Sequence, residues 1–301
     1  MKHTLSVVIS AYNEEKTLAR CLESVRRIAD EIIIVDNESS DRTVEIAKKF
    51  TDRIFLKPNQ LMLNINKNFG FEKATGTWIL NLDADEEIPP ELASEVKVIT
   101  TGKPKYNGYW IKRKNISYGK WIKHGLWWPD RQIRLFKRGF GAFQCVHIHE
   151  YVKIDGETGE LVEPYIHYNY ESVHQYLLKI DRTSSSEAIS LSQMNYPLSW
   201  FDAIRFPVSD FVKIYFAQEG WKDGLHGLVL SLFQAFYSFC TFAKYWEMKK
   251  FEDIDIELSS ISHEIQKQKK EVWYWVLTAK IKEAPDFMKN LLFKIQRKFL
   301  P

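Results

Sequence analysis

Along the first hundred residues the apolar positions change period several times. "LSVVIS" (Leu5 to Ser10) and "EIIIVD" (Glu31 to Asp36) are short, nearly continuous apolar runs rich in β-branched residues, the pattern of strands covered on both faces. Between and after them the period lengthens to that of a helix. Leu18, Cys21, Leu22, Val25 and Ile28 lie three and four apart, and Val44, Ile46, Ala47 and Phe50 form a second stripe. "RIFLK" predicts a third strand, "INKNFGFEKAT" a helix and "TWILNLD" a fourth strand. Apolar strands separated by helices predict an α/β fold with a parallel sheet covered on both faces. Ligands of such sheets bind beyond the carboxyl ends of the strands.

The pattern then shifts. From Tyr106 to Val152, alternating stretches such as "GYWIKRK" and "RQIRLFKR" predict strands of a mixed sheet, with Pro129 and several glycines at turns. The last third is helical. "GLHGLVLSLFQAFYSFCTFA" (Gly224 to Ala243) has no formal charge and is about long enough to span a bilayer. Its small and polar residues Gly227, Ser231, Gln234, Ser238 and Thr241 share one face, which predicts packing on protein by that face and contact with lipid by the other, where Leu230 and Phe233 are expected. Interfacial, re-entrant and spanning placements all fit, as does a buried core helix. At the C-terminus, Phe287, Met288, Leu291, Leu292, Ile295 and Phe299 make an apolar stripe opposite Lys289, Lys294, Arg297 and Lys298, as in helices that lie on anionic lipid. The intervening "FEDIDIELSSISHEIQKQKKE" reads as a charged linker or helix.

Composition narrows the class. A chain of 301 residues with 45% hydrophobic content buries a large core and is not disordered, and a net charge of +3 argues against nucleic acid as the partner. Cys21, Cys145 and Cys240 lie far apart without a CxxC pair, which suits a reducing compartment. Met1-Lys2-His3-Thr4 leads straight into a strand-like run rather than a secretory h-region, so the expected location is the cytoplasm.

Chemistry concentrates at the strand ends. Asp83, Asp85, Glu86 and Glu87 put four carboxylates into five residues directly after an apolar run. Like charges that close repel unless water screens them or a cation neutralises them, so the cluster predicts a divalent metal, with a solvated acidic turn as the alternative. "SAYNEE" follows the first strand and Asp36-Asn37 the second. "AYNEEKT" contains no glycine, which excludes the usual dinucleotide-binding turn.

"VVISAYNEEKTL", "IIIVDNESSDRT", "NKNFGFEKATGTWILNLDADEEI" and "DRQIRLFKR", in that order, resemble the signatures of family-2 glycosyltransferases with the GT-A fold. "VHIHEYV", "YIHYNYES" and "FAKYWE" resemble the branch of bacterial lipopolysaccharide-core glucosyltransferases. The resemblance implies a catalytic domain over residues 1–195 and a membrane-associating helical region over 196–301. It implies that Ala11, Tyr12, Asn13, Glu14 and Asp36 hold the nucleobase and ribose of a nucleotide sugar, a UDP-linked hexose, with Lys67 and Asn68 at a base or phosphate contact. Asp83, Ala84 and Asp85 match the Asp-x-Asp motif, Asp83 lying near ribose or metal and Asp85 ligating Mg²⁺ or Mn²⁺ on the diphosphate. Arg131 and Arg134 suit phosphate recognition through forked guanidinium donors, or a charged strand face. Trp121, Trp127 and Trp128 suit sugar stacking or core packing.

Inverting transfer also needs a general base, for which Glu150 is preferred and Asp130 is the alternative. His147 and His149 share a strand face without a third zinc ligand at a recognisable spacing. His149 or His167 could hold the diphosphate or its metal, although a hydrogen-bonded structural role is favoured for each. The implied acceptor is a lipid-linked glycan, such as lipopolysaccharide core, at the cytoplasmic face of the inner membrane. Transfer to polyprenyl phosphate or protein, or nucleotide-sugar binding without turnover, are the alternatives.

Overall fold

The structure is a computed structural model that describes residues 4–60, 62–146 and 150–300. The chain divides into two compact units, one of residues 1–116 and 128–169, the other of 117–127 and 170–301. The second unit takes in the early segment 117–127 as well as the C-terminal helices.

In chain order the strands are β1 (Leu5–Ala11), β2 (Glu31–Asp36), β3 (Ile54–Leu56), β4 (Trp78–Asp83), β5 (Glu86–Glu87), β6 (Gly108–Ser117), β7 (Lys120–Trp121), β8 (Asp130–Lys137), β9 (Gly141–Ala142), β10 (Lys153–Ile154), β11 (Thr158–Glu160) and β12 (Tyr165–Tyr170). The main sheet of the first unit runs β3-β2-β1-β4-β8-β6-β12-β5. Its first four strands are parallel, and β8 and β6 continue it antiparallel. This is the mixed sheet of the GT-A arrangement expected from the sequence.

Helices α1 (Leu18–Val25), α2 (Thr43–Ala47), α3 (Leu63–Lys73) and α4 (Pro90–Thr101) connect the strands. Alternate strand residues feed two cores, as a two-residue period requires. Val7, Ile9, Ile34, Leu80 and Leu82 join the inward stripe of α1 and the α4 residues Leu92 and Val96. Val8, Ile33 and Ile79 face Phe71 of α3. Of the two helical stripes predicted from the sequence, α1 buries Leu18, Cys21, Leu22 and Val25, whereas α2 is a single short turn that buries Thr43 and Ala47.

Strand order reverses between β1 and β4, because the chain fills β2 and β3 on one side of β1 before crossing to the other. Such a switch point opens a crevice at the carboxyl ends. The register sets Ala11 opposite Asp36 and Ser10 opposite Asp83, so three polar strand ends meet at one edge.

The second unit holds α5 (Val173–Gln193), α6 (Asp202–Val212), α7 (Leu225–Met248), α8 (Leu258–Lys282) and α9 (Phe287–Lys298). The stretch read as linker or helix is helix from Leu258 onward, while residues 251–257 are non-helical. Arg205 of α6 is paired through two hydrogen bonds, of 2.7 and 2.9 Å, with Glu264 of α8, whose carboxylate is buried. On α7 the small and polar face turns inward as expected, burying Gly227, Ser231, Ser238 and Thr241. Gly227 permits this close approach, since a Cβ there would lie 1.8 Å from the Gly220 carbonyl oxygen. The expected outward side needs one correction. Leu230 is fully buried against Ile122, Trp127 and Ile214, and Phe233 stacks on Tyr176 at 4.3 Å. The residues that do face outward are Leu225, Leu232, Phe236, Phe239 and Trp246.

Candidate active site

The acidic cluster sits where the switch point predicts it. β4 delivers Asp83 as its last residue, the chain turns at Ala84-Asp85, and β5 pairs antiparallel with β12 so that Glu86 lies opposite His167. Two cations divide Asp83 between them. Lys67 Nζ lies 2.5 Å from Oδ1, and Arg134 Nη2 donates to Oδ2 at 2.7 Å. Arg134 also bonds Glu86 and reaches the Tyr165 hydroxyl, all in buried positions. Burial opposes ionisation of Asp83, yet the Lys67 and Arg134 charges outweigh it and hold the carboxyl well below its usual range. For Glu86 burial wins. Despite the pull of Arg134, and with the like charges of Asp83 and Asp85 adding to the burial, its pKa is pushed up to about 7.

Asp85 is arranged differently. His167 Nε2 lies 3.2 Å from Asp85 Oδ2, and His167 Nδ1 lies 2.6 Å from Asn115 Oδ1. With Nδ1–H donated to the Asn115 oxygen, Nε2 turns its lone pair toward a carboxylate oxygen. Two electron-rich atoms so placed call for a proton or a cation between them. Among the described residues no three His, Cys, Asp or Glu side chains gather into a ready-made metal cage. One carboxylate and one imidazole instead fit an ion that takes its remaining ligands from water and substrate phosphate, as Mg²⁺ and Mn²⁺ do. The sequence reading of His167 left this role second to a structural one. What it could not see is the β5/β12 pairing that brings residues 85 and 167 together.

The residues expected on the nucleotide side occupy the end of β1, the end of β2 and the loops that follow them. Ala11 ends β1, Tyr12 is exposed, and Asn13 takes a left-handed backbone (φ 55°). That conformation lets the Asn13 amide N–H donate to Ser39 Oγ and its Oδ1 accept from the Ser40 N–H, tying the two loops together. Glu14 continues the turn into α1, its carbonyl accepting from the Leu18 N–H. Asp36 is buried. Its Oδ2 accepts the Ser39 N–H at 3.1 Å, while its Oδ1 has no hydrogen-bond partner among the described residues. A buried carboxylate oxygen without a donor is costly, which marks the atom as one that a ligand N–H or O–H would satisfy.

Other candidates are engaged elsewhere. Asn68 exchanges two hydrogen bonds with the backbone of Phe143, and Arg131 pairs with Glu160 on an exposed face. Arg134, read as a phosphate contact, is a buried countercharge for Asp83 and Glu86. Trp127 packs in the core of the second unit. Asp130 is bound by Arg113, Asn115 and Gln132, whereas Glu150 accepts from the Cys145 and Val146 backbone N–H groups and from Asn64. His147 and His149 lie outside the described residues.

The sequence profile of glycosyl transferase family 2 matches residues 6–152. An uncharacterized glycosyltransferase of Rickettsia typhi is 32% identical over 256 residues, covering 81% of this chain and 87% of the relative. The lipopolysaccharide core biosynthesis glycosyltransferase LpsC of Rhizobium meliloti is 27% identical over 270 residues, covering 86% and 98%. The undecaprenyl-phosphate 4-deoxy-4-formamido-L-arabinose transferase of Pseudomonas aeruginosa is 31% identical over 163 residues, covering 49% of this chain and 44% of that protein.

Proposed function

The chain belongs to glycosyl transferase family 2, and from that premise we propose that it is a metal-dependent, inverting hexosyltransferase that moves a sugar from a UDP-linked donor to a lipid-linked glycan such as lipopolysaccharide core. The observation that carries this reading is the convergence of Asp36, Asp83 and Asp85 with His167 at the carboxyl ends of β2 and β4. Asp36 Oδ1 accepts from the base or ribose, while the loop of Tyr12, Asn13 and Glu14 covers that end of the donor. Asp85 and His167 would hold Mg²⁺ or Mn²⁺, whose chemistry when bound is to offset the charge that gathers on the leaving diphosphate. Lys67, 2.5 Å from Asp83, supplies a cation at the same place.

Glu150 takes the proton of the acceptor hydroxyl as that oxygen attacks the anomeric carbon from the face opposite the breaking sugar–phosphate bond. We prefer it to Asp130 because the latter is paired with the Arg113 guanidinium, Nε lying 2.7 Å away. Incubation with UDP-hexoses and Mn²⁺ tests the reading. Slow release of free sugar without acceptor is expected, and Glu150→Gln should slow transfer about 10²-fold while leaving UDP binding nearly unchanged. A protein that binds UDP-sugars but releases no sugar under any metal would be a binding protein instead.

The second unit supports action at a membrane surface. Two of its helices present large apolar residues on their outer sides. α7 buries serine, threonine and glycine while Leu232 (52% exposed) and Phe236 (46%) face out. α9 turns Asn290 and Arg297 toward α8 and leaves Met288, Leu291, Leu292, Ile295 and Phe299 exposed, flanked by Lys289, Lys294 and Lys298. Apolar stripes bordered by lysines suit anionic lipid headgroups above an acyl layer. The three cysteines are free thiols, which suits the cytoplasmic side.

Two sets of variants separate the contributions in a vesicle flotation assay. Leu232→Glu with Phe236→Glu should release the protein from vesicles at any salt. Lys289, Lys294 and Lys298 changed together to Gln should lower partition onto anionic vesicles about a hundredfold and leave neutral ones unaffected. Full-length protein that stays off anionic vesicles at low salt would make a soluble acceptor the better reading.

A further inference from the structure

Behind His167 lies a chain of polar side chains for which the reaction proposed above assigns no task. Asn115 stands on β6, the neighbour of β12, and its Oδ1 is the atom 2.6 Å from His167 Nδ1. Its Nδ2 donates to Asp130 Oδ2 at 3.3 Å. That same oxygen accepts from Arg113 Nε at 2.7 Å and from Arg113 Nη2, while Asp130 Oδ1 accepts from Gln132 at 3.0 Å. Asn115 is 1% exposed. The β6/β8 register sets Arg113 directly opposite Asp130, so pairing of the backbones builds the far end of the chain.

From these contacts we propose that Arg113, Asp130 and Asn115 are positioning residues that fix the tautomer and direction of His167. The inference rests on the metal reading of Asp85 and His167. Its logic is donor and acceptor bookkeeping. A carboxylate can only accept, so Asp130 obliges Asn115 to present its NH₂ group to it and therefore its carbonyl oxygen to His167. That oxygen can only accept, so it keeps the proton on Nδ1 and leaves Nε2 as the basic nitrogen facing Asp85. Arg113 anchors the sequence by donating two hydrogen bonds to Asp130 Oδ2. Without Asp130 the Asn115 amide could rotate through half a turn and offer His167 an N–H, which would select the opposite tautomer and hide the lone pair. The residue considered from sequence as an alternative general base is thereby given a task two side chains away from the reacting atoms. Outer partners of a metal-bound histidine tune affinity in this way, and losing one typically costs 10- to 100-fold.

Titration of the full chain with Mn²⁺ in the presence of UDP, read by electron paramagnetic resonance, tests the relay without using turnover. Asn115→Ala should weaken Mn²⁺ binding 10- to 100-fold with metal-free UDP binding unchanged. Asp130→Asn keeps the volume of the side chain and should cost less, about three- to tenfold. It guards against the case in which the alanine variant fails to fold. With Mg²⁺ and UDP, ¹⁵N resonances of His167 should report the Nδ1–H tautomer in the parent and a mixture in Asp130→Asn, a change that a merely structural Asp130 would not produce.

Folded variants that both bind Mn²⁺ within twofold of the parent would overturn the relay, as would an Nε2–H tautomer in the parent. The metal reading fails separately, if Asp85→Asn leaves Mn²⁺ affinity unaltered.

Discussion

Asp85→Asn is expected to lower sugar transfer by at least about 10³-fold while the protein keeps its melting temperature within a few degrees. Asn preserves the shape of the side chain but removes the negative charge that, with His167 3.2 Å away, makes the pair attractive to a divalent ion. Arg134 keeps both of its carboxylates, Asp83 and Glu86, when Asp85 is changed. Chelation of the parent should reproduce the effect, and excess Mn²⁺ should restore the parent but not the variant. Activity of Asp85→Asn within tenfold of the parent, or a parent indifferent to chelator, would remove the metal from the mechanism.

Arg134→Met should be the most damaging change to stability. Arg134 is nearly fully buried and serves two carboxylates at once, so its removal leaves the buried Glu86 without a cation and the partly exposed Asp83 with Lys67 alone. Breaking a buried pair in this way costs about 3–5 kcal/mol. The loss should depend on pH, and the sign follows from the two carboxyls. Glu86, whose pKa is raised to about 7, contributes stability below the ordinary carboxylate range that fades as pH climbs toward 7. Asp83, held low, contributes above that range and loses its contribution only in strong acid. At pH 5 Glu86 is protonated and tolerates the missing cation. At pH 8 it must ionise or stay protonated at a cost. Urea unfolding at the two pH values should therefore show the larger deficit at pH 8. A deficit below about 1 kcal/mol there would mean that Lys67 and solvent already neutralise the cluster.

Helix α7 shows how far local pattern reaches. Spacing alone told that α7 has a small-residue face and that this face packs inward, because both statements concern one helix and its own period. It did not tell where the inward face ends. Leu230 and Phe233 sit at its margins and turn inward because Trp127, Ile214 and Tyr176, distant in sequence, fill the space beside them.

The candidate site divides along the same line. By itself the sequence determined the alternation of covered strands and helices, and with it the placement of Ala11, Asp36 and Asp83 at strand ends. It also determined the crowding of carboxylates that marks the site, since period, strand termini and charge density are all properties of contiguous residues. Only the tertiary structure decided which charged residues pair with one another. Arg131 and Arg134 look alike in "DRQIRLFKR", yet one pairs with Glu160 at the surface and the other neutralises Asp83 and Glu86 in the interior. Likewise His167 meets Asp85, and Asp130 reaches it through Asn115, only because β12 pairs with β5 and β6 pairs with β8. Strand pairing between segments tens of residues apart is set by the summed fit of the whole sheet, and a one-residue slip would turn each of these side chains to the opposite face.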